Sequence, residues 1–317
     1  MRQLRVLAAI AAVAAALTWP FLQPRSVLGL KARDTLFAMR EVLGRTPPVS
    51  KRIVVVAIDE LTVRAERLQK PMALWGDEHA RVVRALTDAG AAVVVLDVIQ
   101  PYERADVRSL GLALHEARAV LAVDLDDSTG GLVGNPQLLH AAGDAVNVAG
   151  LVRFYRDRDG LLRRASFVHP YAGGNVLTLW FQGARQLLGI SPEDFARAFR
   201  ERTSVLALPG RTVPLVGESM FVNYAGPDRT MARVSYIEVL ERDQDREWLR
   251  REFEGRLVFV GVTVADMQDF HLTPMGGARG PAAGPPPGVL PGRRHTETHM
   301  AGVEINAQAA NTLVTGA

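Results

Sequence analysis

The chain contains no cysteine. Disulfides, thiolate metal sites and cysteine nucleophiles are therefore excluded, whereas the compartment is not, because exported proteins often lack cysteine as well. Lysine is almost missing: Lys31, Lys51 and Lys70 are the only three among 37 basic residues, and the rest are arginine. Neither sign of charge dominates, with 37 basic against 34 acidic residues. The formal net charge is +3 over 317 residues, and no basic stripe is interleaved with aromatics, so nucleic acid is not an expected partner. There is no Gly-x-Ser-x-Gly nucleophile motif and no glycine-rich loop between a strand and a helix that would cradle a phosphate. No catalytic residue is assigned, and the chain is not expected to be an enzyme. One long apolar run exists, "VLAAIAAVAAALTWPFL" at residues 6–22, seventeen residues without a charge after Arg2 and Arg5. That length is near the lower limit for spanning a bilayer. It also fits a secretory signal, with Ala14 to Ala16 as a cleavage region. Arg25, Lys31, Arg33 and Arg40 come next, so the distribution of positive charge does not favour export of the remaining chain.

Hydrophobic content of 48% and charged content of 22% suit a folded protein with a sizeable core. "RIVVVAIDE" shows its character: five of the six residues 53–58 are β-branched, and the run ends on Asp59 and Glu60. The pattern recurs at "AAVVVLDVI", where Asp97 ends the run, and again at "AVLAVDL" and "RLVFVGV". Near-continuous apolar runs predict parallel strands covered on both faces. The segments between them have helical period. In "DEHARVVRALTDAGA", Asp77 is the expected cap and Gly90 the stop. The alternation predicts an α/β fold with a mainly parallel central sheet flanked by helices. Residues 26–44 carry Leu28, Leu36, Met39, Val42 and Leu43 at helical spacing and predict an amphipathic helix ended by Pro47 and Pro48. A strand is expected at residues 145–148. Residues 151–170 are expected to form an inserted β-hairpin turning at Asp159-Gly160. "SPEDFARAFRERT" predicts a helix capped by Ser191 with Pro192 at its first position. A second turn falls at Pro209-Gly210. The segment 276–300 is rich in Gly and Pro and has no apolar period, so it is expected to be a mobile loop. "AGVEINAQAANTLVTG" closes the chain as a helix.

The order of these pieces resembles the CHASE type-2 sensor domain, the extracytoplasmic input module of bacterial membrane receptors. The matching pieces are the apolar N-terminal run, Arg33-Asp34, "IVVVAIDE", "HARVVRALTDAGAAVVVLDVI" with Asp106 downstream, "DRDGLLRRASF", "FVNYAGP", "GRLVFVGVTVADMQDFHLTP" and "GVEINAQAANTLVTG". Two departures stand out. The Gly/Pro-rich segment separates the "TP" and "GVEINA" elements, and the effector expected of such a receptor is not in this chain. The resemblance implies three parts: an anchor or signal at residues 1–24, a membrane-proximal helix and linker at 25–48, and a sensor domain at 49–317. It places the protein in the inner membrane with the α/β domain periplasmic or extracellular. Expected partners are the membrane, a small ligand or ion, and a second copy in a homodimer. The output would go to a nucleotide cyclase or kinase.

Ligands of open α/β sheets bind beyond the carboxyl ends of the strands. The candidate binding residues are therefore Asp59, Glu60, Asp97, Asp106, Asp266, Asp269 and His271. If they converge, they could hold a divalent cation through oxygen ligands, or a cationic or polyhydroxylated molecule; no other cofactor is expected. If they do not, Asp59 caps the next turn and the others bond loop backbone. Arg163 and Arg164 could cover the acidic ends, bind an anion, or simply be paired. "HTETH" at residues 295–299 lacks the helical spacing of a zinc motif, and "DRDG" lacks the remaining ligands of a calcium loop. A soluble periplasmic binding module is the alternative reading. A metal-assisted hydrolase using Asp59, Asp97 and Asp269 is another.

Overall fold

The computed structural model describes residues 26–100, 107–264, 269–277 and 299–316. The expected anchor at residues 1–24, Asp106, Asp266 and His295 lie outside the described residues. Among the described residues no helix is long and apolar enough to cross a membrane.

The first helix, α1, is Val27–Val42. Strand β1 (Ile53–Ile58), the short helix α2 (Glu60–Arg64), helix α3 (Gly76–Asp88), strand β2 (Val93–Asp97), helix α4 (Val107–Glu116) and strand β3 (Ala119–Leu125) follow in alternation. Next come β4 (Leu132–Val133), α5 (Pro136–Ala142), α6 (Ala145–Val148) and β5 (Ala149–Leu151). Short strands β6 (Arg164–Ser166), β7 (Val168–Tyr171) and β8 (Gly174–Leu177) lead to helices α7 (Leu179–Leu187) and α8 (Pro192–Glu201). Strands β9 (Val205–Leu208), β10 (Arg211–Pro214), β11 (Ser219–Phe221) and β12 (Arg233–Ser235) precede α9 (Tyr236–Glu241) and α10 (Arg246–Phe253). Strand β13 (Leu257–Val262), the two-stranded ladder β14 (Phe270–Leu272) with β15 (His299–Ala301), and helix α11 (Gly302–Thr315) complete the order.

The central sheet runs β12-β1-β13-β2-β3, with β5 pairing beyond β3. These pairs are all parallel; only the short β4 runs antiparallel against the end of β3. Every residue of β1 and β13 is buried, which explains why both read as uninterrupted apolar runs. Alternate side chains feed two cores. Ile53, Val55, Val95 and Phe259 pack with α7 and α11 on one face. Val54, Val56, Val94 and Val260 pack with α3, α4, α9 and α10 on the other.

Three local expectations are corrected. Residues 145–148 are helix rather than strand, because Asp144 accepts from the Val146 amide at 3.2 Å and starts a turn there. The hairpin across Asp159-Gly160 does not form. The turn is present, with Gly160 at φ +81°, but β5 joins the parallel sheet and β6 pairs with β11 instead. Asp77 does not cap α3; the helix begins at Gly76 without a side-chain cap, and Asp77 lies in its first turn. Ser191 does cap α8 with Pro192 in the first turn, and Pro209-Gly210 does turn the β9–β10 hairpin. Of residues 276–300, the two ends are structured: 276 and 277 belong to a 3-10 turn and 299 and 300 to β15. The interior lies outside the described residues. The β14–β15 ladder fixes where α11 begins.

Helix α1 packs on the domain through a mixed face of apolar and charged side chains. Leu30, Asp34, Phe37 and Arg40 face inward or are partly covered, whereas Leu36, Met39 and Leu43 are 62%, 53% and 62% exposed. Three members of the apolar stripe read from the sequence, Leu36, Met39 and Leu43, are therefore exposed.

Candidate functional site

Two regions hold concentrated polar chemistry, one at each end of α11. The first is the carboxyl edge of the sheet. In the register of the sheet, Asp97 lies beside Gly261 of β13, which in turn lies beside Ala57 of β1. A Cβ on Gly261 would stand 2.9 Å from Val303 and 3.1 Å from Asp97, so only glycine lets α11 and Asp97 meet over that strand. Asn306 of α11 donates from Nδ2 to Asp97 Oδ2 at 2.9 Å. Asp269 closes the other side. Its carbonyl accepts from the Gly302 amide at 3.0 Å, and its carboxylate lies where a Gly302 Cβ would be. A carboxylate against a helix N-terminus is favourably placed. His271 Nε2 donates to Asp269 Oδ1 at 3.1 Å. Arg156 donates to His271 Nδ1 at 2.9 Å; since arginine cannot accept, the imidazole proton resides on Nε2 in this arrangement. Burial, then the neighbouring charge of Asp269, pushes Asp97 up to about 7, against the opposing bond from Asn306.

Three of the seven candidates, Asp97, Asp269 and His271, thus come together. Asp59 does not join them. Its carboxylate accepts from the Thr62 amide at 3.0 Å, from Thr62 Oγ1 at 2.8 Å and from Ser235 Oγ at 2.9 Å. It caps α2 and is tied to β12, on the far side of β1 from Asp97. Two strand spacings, roughly 10 Å, separate the two strand ends. Glu60 sits in the first turn of α2 beside it. Among the described residues no group of three or more His, Asp or Glu is placed to hold a metal ion. A trio of Asp59, Asp97 and Asp269 is therefore not assembled, which removes the geometry that a hydrolase reading required.

The second region lies beside α1, near the other end of α11, where both helices line one cavity. Arg163, 1% exposed, is surrounded by three carboxylates. It donates to Asp34 from Nε at 2.7 Å and Nη2 at 2.8 Å, to Asp157 from Nη1 at 3.0 Å, and to Asp159 from Nη2 at 2.7 Å. Arg164 bonds the remaining oxygen of Asp157 from Nε at 3.0 Å. The acids of "DRDG" are thus the counter-ions of the arginine pair that follows, and Asp34 draws α1 into the same cluster. Burial opposes the charge on Arg163, but the bonds to Asp34, Asp159 and Asp157 together outweigh it and hold the guanidinium charged. Beyond it, Arg40 of α1 donates to Asn223 Oδ1 and, at 2.5 Å, to the Tyr224 carbonyl. Phe37 meets Tyr224 edge-on with ring centres 6.2 Å apart, and Arg33 stacks 3.9 Å over Phe221.

The same segment is gripped from α11. The Asn223 amide donates to Thr312 Oγ1 at 3.0 Å, and the Ala225 amide donates to Gln308 Oε1 at 2.9 Å. Further along, Glu304 accepts from the Met231 amide and from Arg233, each at 2.9 Å. Asn311 accepts from the Ser50 amide at 2.8 Å and donates to the Pro48 carbonyl at 3.0 Å. Helix α11 is buried from Gly302 to Leu313, yet it carries Glu304, Asn306, Gln308, Asn311 and Thr312. Each of these polar residues has a hydrogen-bond partner outside the helix, with Thr312 and Gln308 sharing the segment 223–225, which is how so polar a helix can be buried. None of the five was a candidate from sequence. The signal was present in "VEINAQAANT", which has too many amides for an ordinary core helix.

A family model described as the CHASE2 domain matches residues 8–317. No curated protein and no solved structure matches the chain.

Proposed function

The chain belongs to the CHASE2 family, an extracytoplasmic sensory domain family, and from that premise we propose that it is the input half of a transmembrane receptor. In this reading the domain lies outside the cytoplasm, anchored through its N-terminal apolar segment, and passes its state to an effector such as a nucleotide cyclase or kinase. One observation carries it: residues 223–225 are bonded both by Arg40 of α1 and by Thr312 and Gln308 of α11. A change at either helix must therefore be felt by the segment that holds the other. A stimulus acts by binding two arrangements of these helices unequally, since only differential affinity shifts an equilibrium.

The exposed stripe of Leu36, Met39 and Leu43 supports association with a second copy along α1. The absence of native cysteine makes this simple to test: Met39→Cys in membranes should give a disulfide-linked dimer under mild oxidation, and persistent monomer would remove the homodimer. For the relay itself, Arg40→Gln in the intact receptor should change basal effector output, measured as cyclic nucleotide or phosphoprotein. Alkaline phosphatase fused after residue 316 should be active. Unchanged output, or a phosphatase fusion that is inactive while a fluorescent-protein fusion glows, would contradict the reading.

A further inference from the structure

Where α1 approaches the end of α11 there is a cavity of about 570 Å³, within the usual range for small-molecule sites. Phe37, Leu215, Met220, Val222 and Leu313 give it apolar walls. Arg40 and Arg211 also line it, and both have an Nε that is buried without an acceptor. Their other contacts are to neutral groups only: Arg40 to Asn223 Oδ1 and the Tyr224 carbonyl, Arg211 to the Leu313 carbonyl. Among the described residues no carboxylate pairs with Arg33, Arg40 or Arg211. A buried cationic N–H without an acceptor or counter-charge is costly, and folds rarely retain one without a use for it. Burial lowers the pKa of all three arginines, and Arg52 adds repulsion at Arg211. An anion would reverse both penalties.

We propose that this cavity is a binding site for a small amphipathic anion, a carboxylate head held by Arg40 and Arg211 and an alkyl body held by the apolar walls. Walls of Leu, Met, Val and Phe disfavour a fully hydrated ion such as inorganic phosphate as the natural occupant, and two lining guanidinium charges without a carboxylate partner favour an anion over a neutral lipid. The site's position gives the occupant a role. It touches α1 through Phe37 and Arg40 and α11 through Leu313, so occupancy bears on the relation between the two helices. The proposal rests on the sensory reading above and names the chemistry of its input.

The experiment uses the full chain in lipid nanodiscs and a photoreactive diazirine analogue of decanoic acid, with labelled residues mapped by mass spectrometry. The acid should label the stretch 211–223 and Leu313, and excess decanoate should suppress that labelling at least tenfold. The matching diazirine alcohol should label no more than the lipid background, and inorganic phosphate should not compete. Arg211→Gln should reduce labelling about tenfold. Because Arg211 also bonds backbone, Thr212→Glu provides a second arm: Thr212 is an exposed wall residue, and a carboxylate there should repel the probe while the thermal melt is unchanged. Equal labelling by acid and alcohol, labelling confined to Met39 and Leu43 on the outer face of α1, or undiminished labelling in Thr212→Glu would each overturn the site. None of these readouts involves effector output, so losing the cavity and losing the relay are separate results.

Discussion

Arg163 and Arg211 line the same cavity and are treated in opposite ways. Arg163 is saturated by three carboxylates drawn from α1 and from the turn before β6, whereas Arg211 has a backbone carbonyl and an orphan Nε. The first is a latch. Its charges satisfy one another, and the pattern locks Asp34 of α1 onto the domain. The second is a cation that the folded chain does not neutralise from within its described residues. A fold that supplies three acids to one arginine and none to another a short way off has separated holding from binding.

The sharpest way to break that comparison is to remove each arginine in turn. Arg163→Ala leaves Asp157 buried beside one arginine instead of two, and should cost about 3–5 kcal/mol in chemical denaturation. Arg211→Gln should cost about 1 kcal/mol or less, since it removes an unpaired charge along with one bond. Equal losses would mean that Arg211 is as structural as Arg163.

Asp97 offers the next effect, at the opposite end of α11. Its folded pKa, about 7, lies above the usual 3.8. A carboxyl with a raised folded pKa contributes its full stability below the unfolded value and loses it as pH rises through the folded one. Stability should therefore fall between about pH 4 and 7 and level off above. Asp97→Asn should flatten that slope and make the protein more stable than the parent at pH 8, on the order of 2–4 kcal/mol at 1.36 kcal/mol per pKa unit. A variant that keeps the slope would place the titration elsewhere. Gly302→Ala should be smaller, about 1–3 kcal/mol, because the new methyl displaces the Asp269 carboxylate from the helix start. Asp59→Ala should cost about 1 kcal/mol, as the loss of one helix cap. It should leave the pH profile of Asp97 untouched, which separates the two acids that looked equivalent in sequence.

That apparent equivalence shows how far the sequence could be read. Both acids end buried parallel strands, and the runs before them made β1, β2, β3 and β13 legible nearly to the residue. What the runs could not show was strand order. Strand β13, last in the chain to join the central sheet, inserts between β1 and β2 and parts Asp59 from Asp97. The meeting of Asp97 with Asp269 and His271 followed from the rule that sites form beyond strand ends, whereas Asn306 and Arg156 did not, because each acts across more than a hundred residues. The Asp159-Gly160 turn was legible and the hairpin was not, since the flanking segments find partners elsewhere. The stripe on α1 was legible as a stripe. The exposure of Leu36, Met39 and Leu43 was not, because it depends on Asp34 and Arg40 finding buried partners that no local pattern reveals.

The central claim is that α1 and α11 are coupled through residues 223–225. A double-mutant cycle tests it most directly: Arg40→Gln removes the bonds from α1 to Asn223 and Tyr224, and Thr312→Val removes the acceptor that α11 offers to the Asn223 amide. Measured by reversible chemical unfolding of the full chain, the pair should show an interaction energy above about 0.5 kcal/mol, as residues sharing a partner do. Losses that simply add, within roughly 0.3 kcal/mol, would mean that the two helices grip the segment independently and would contradict the account.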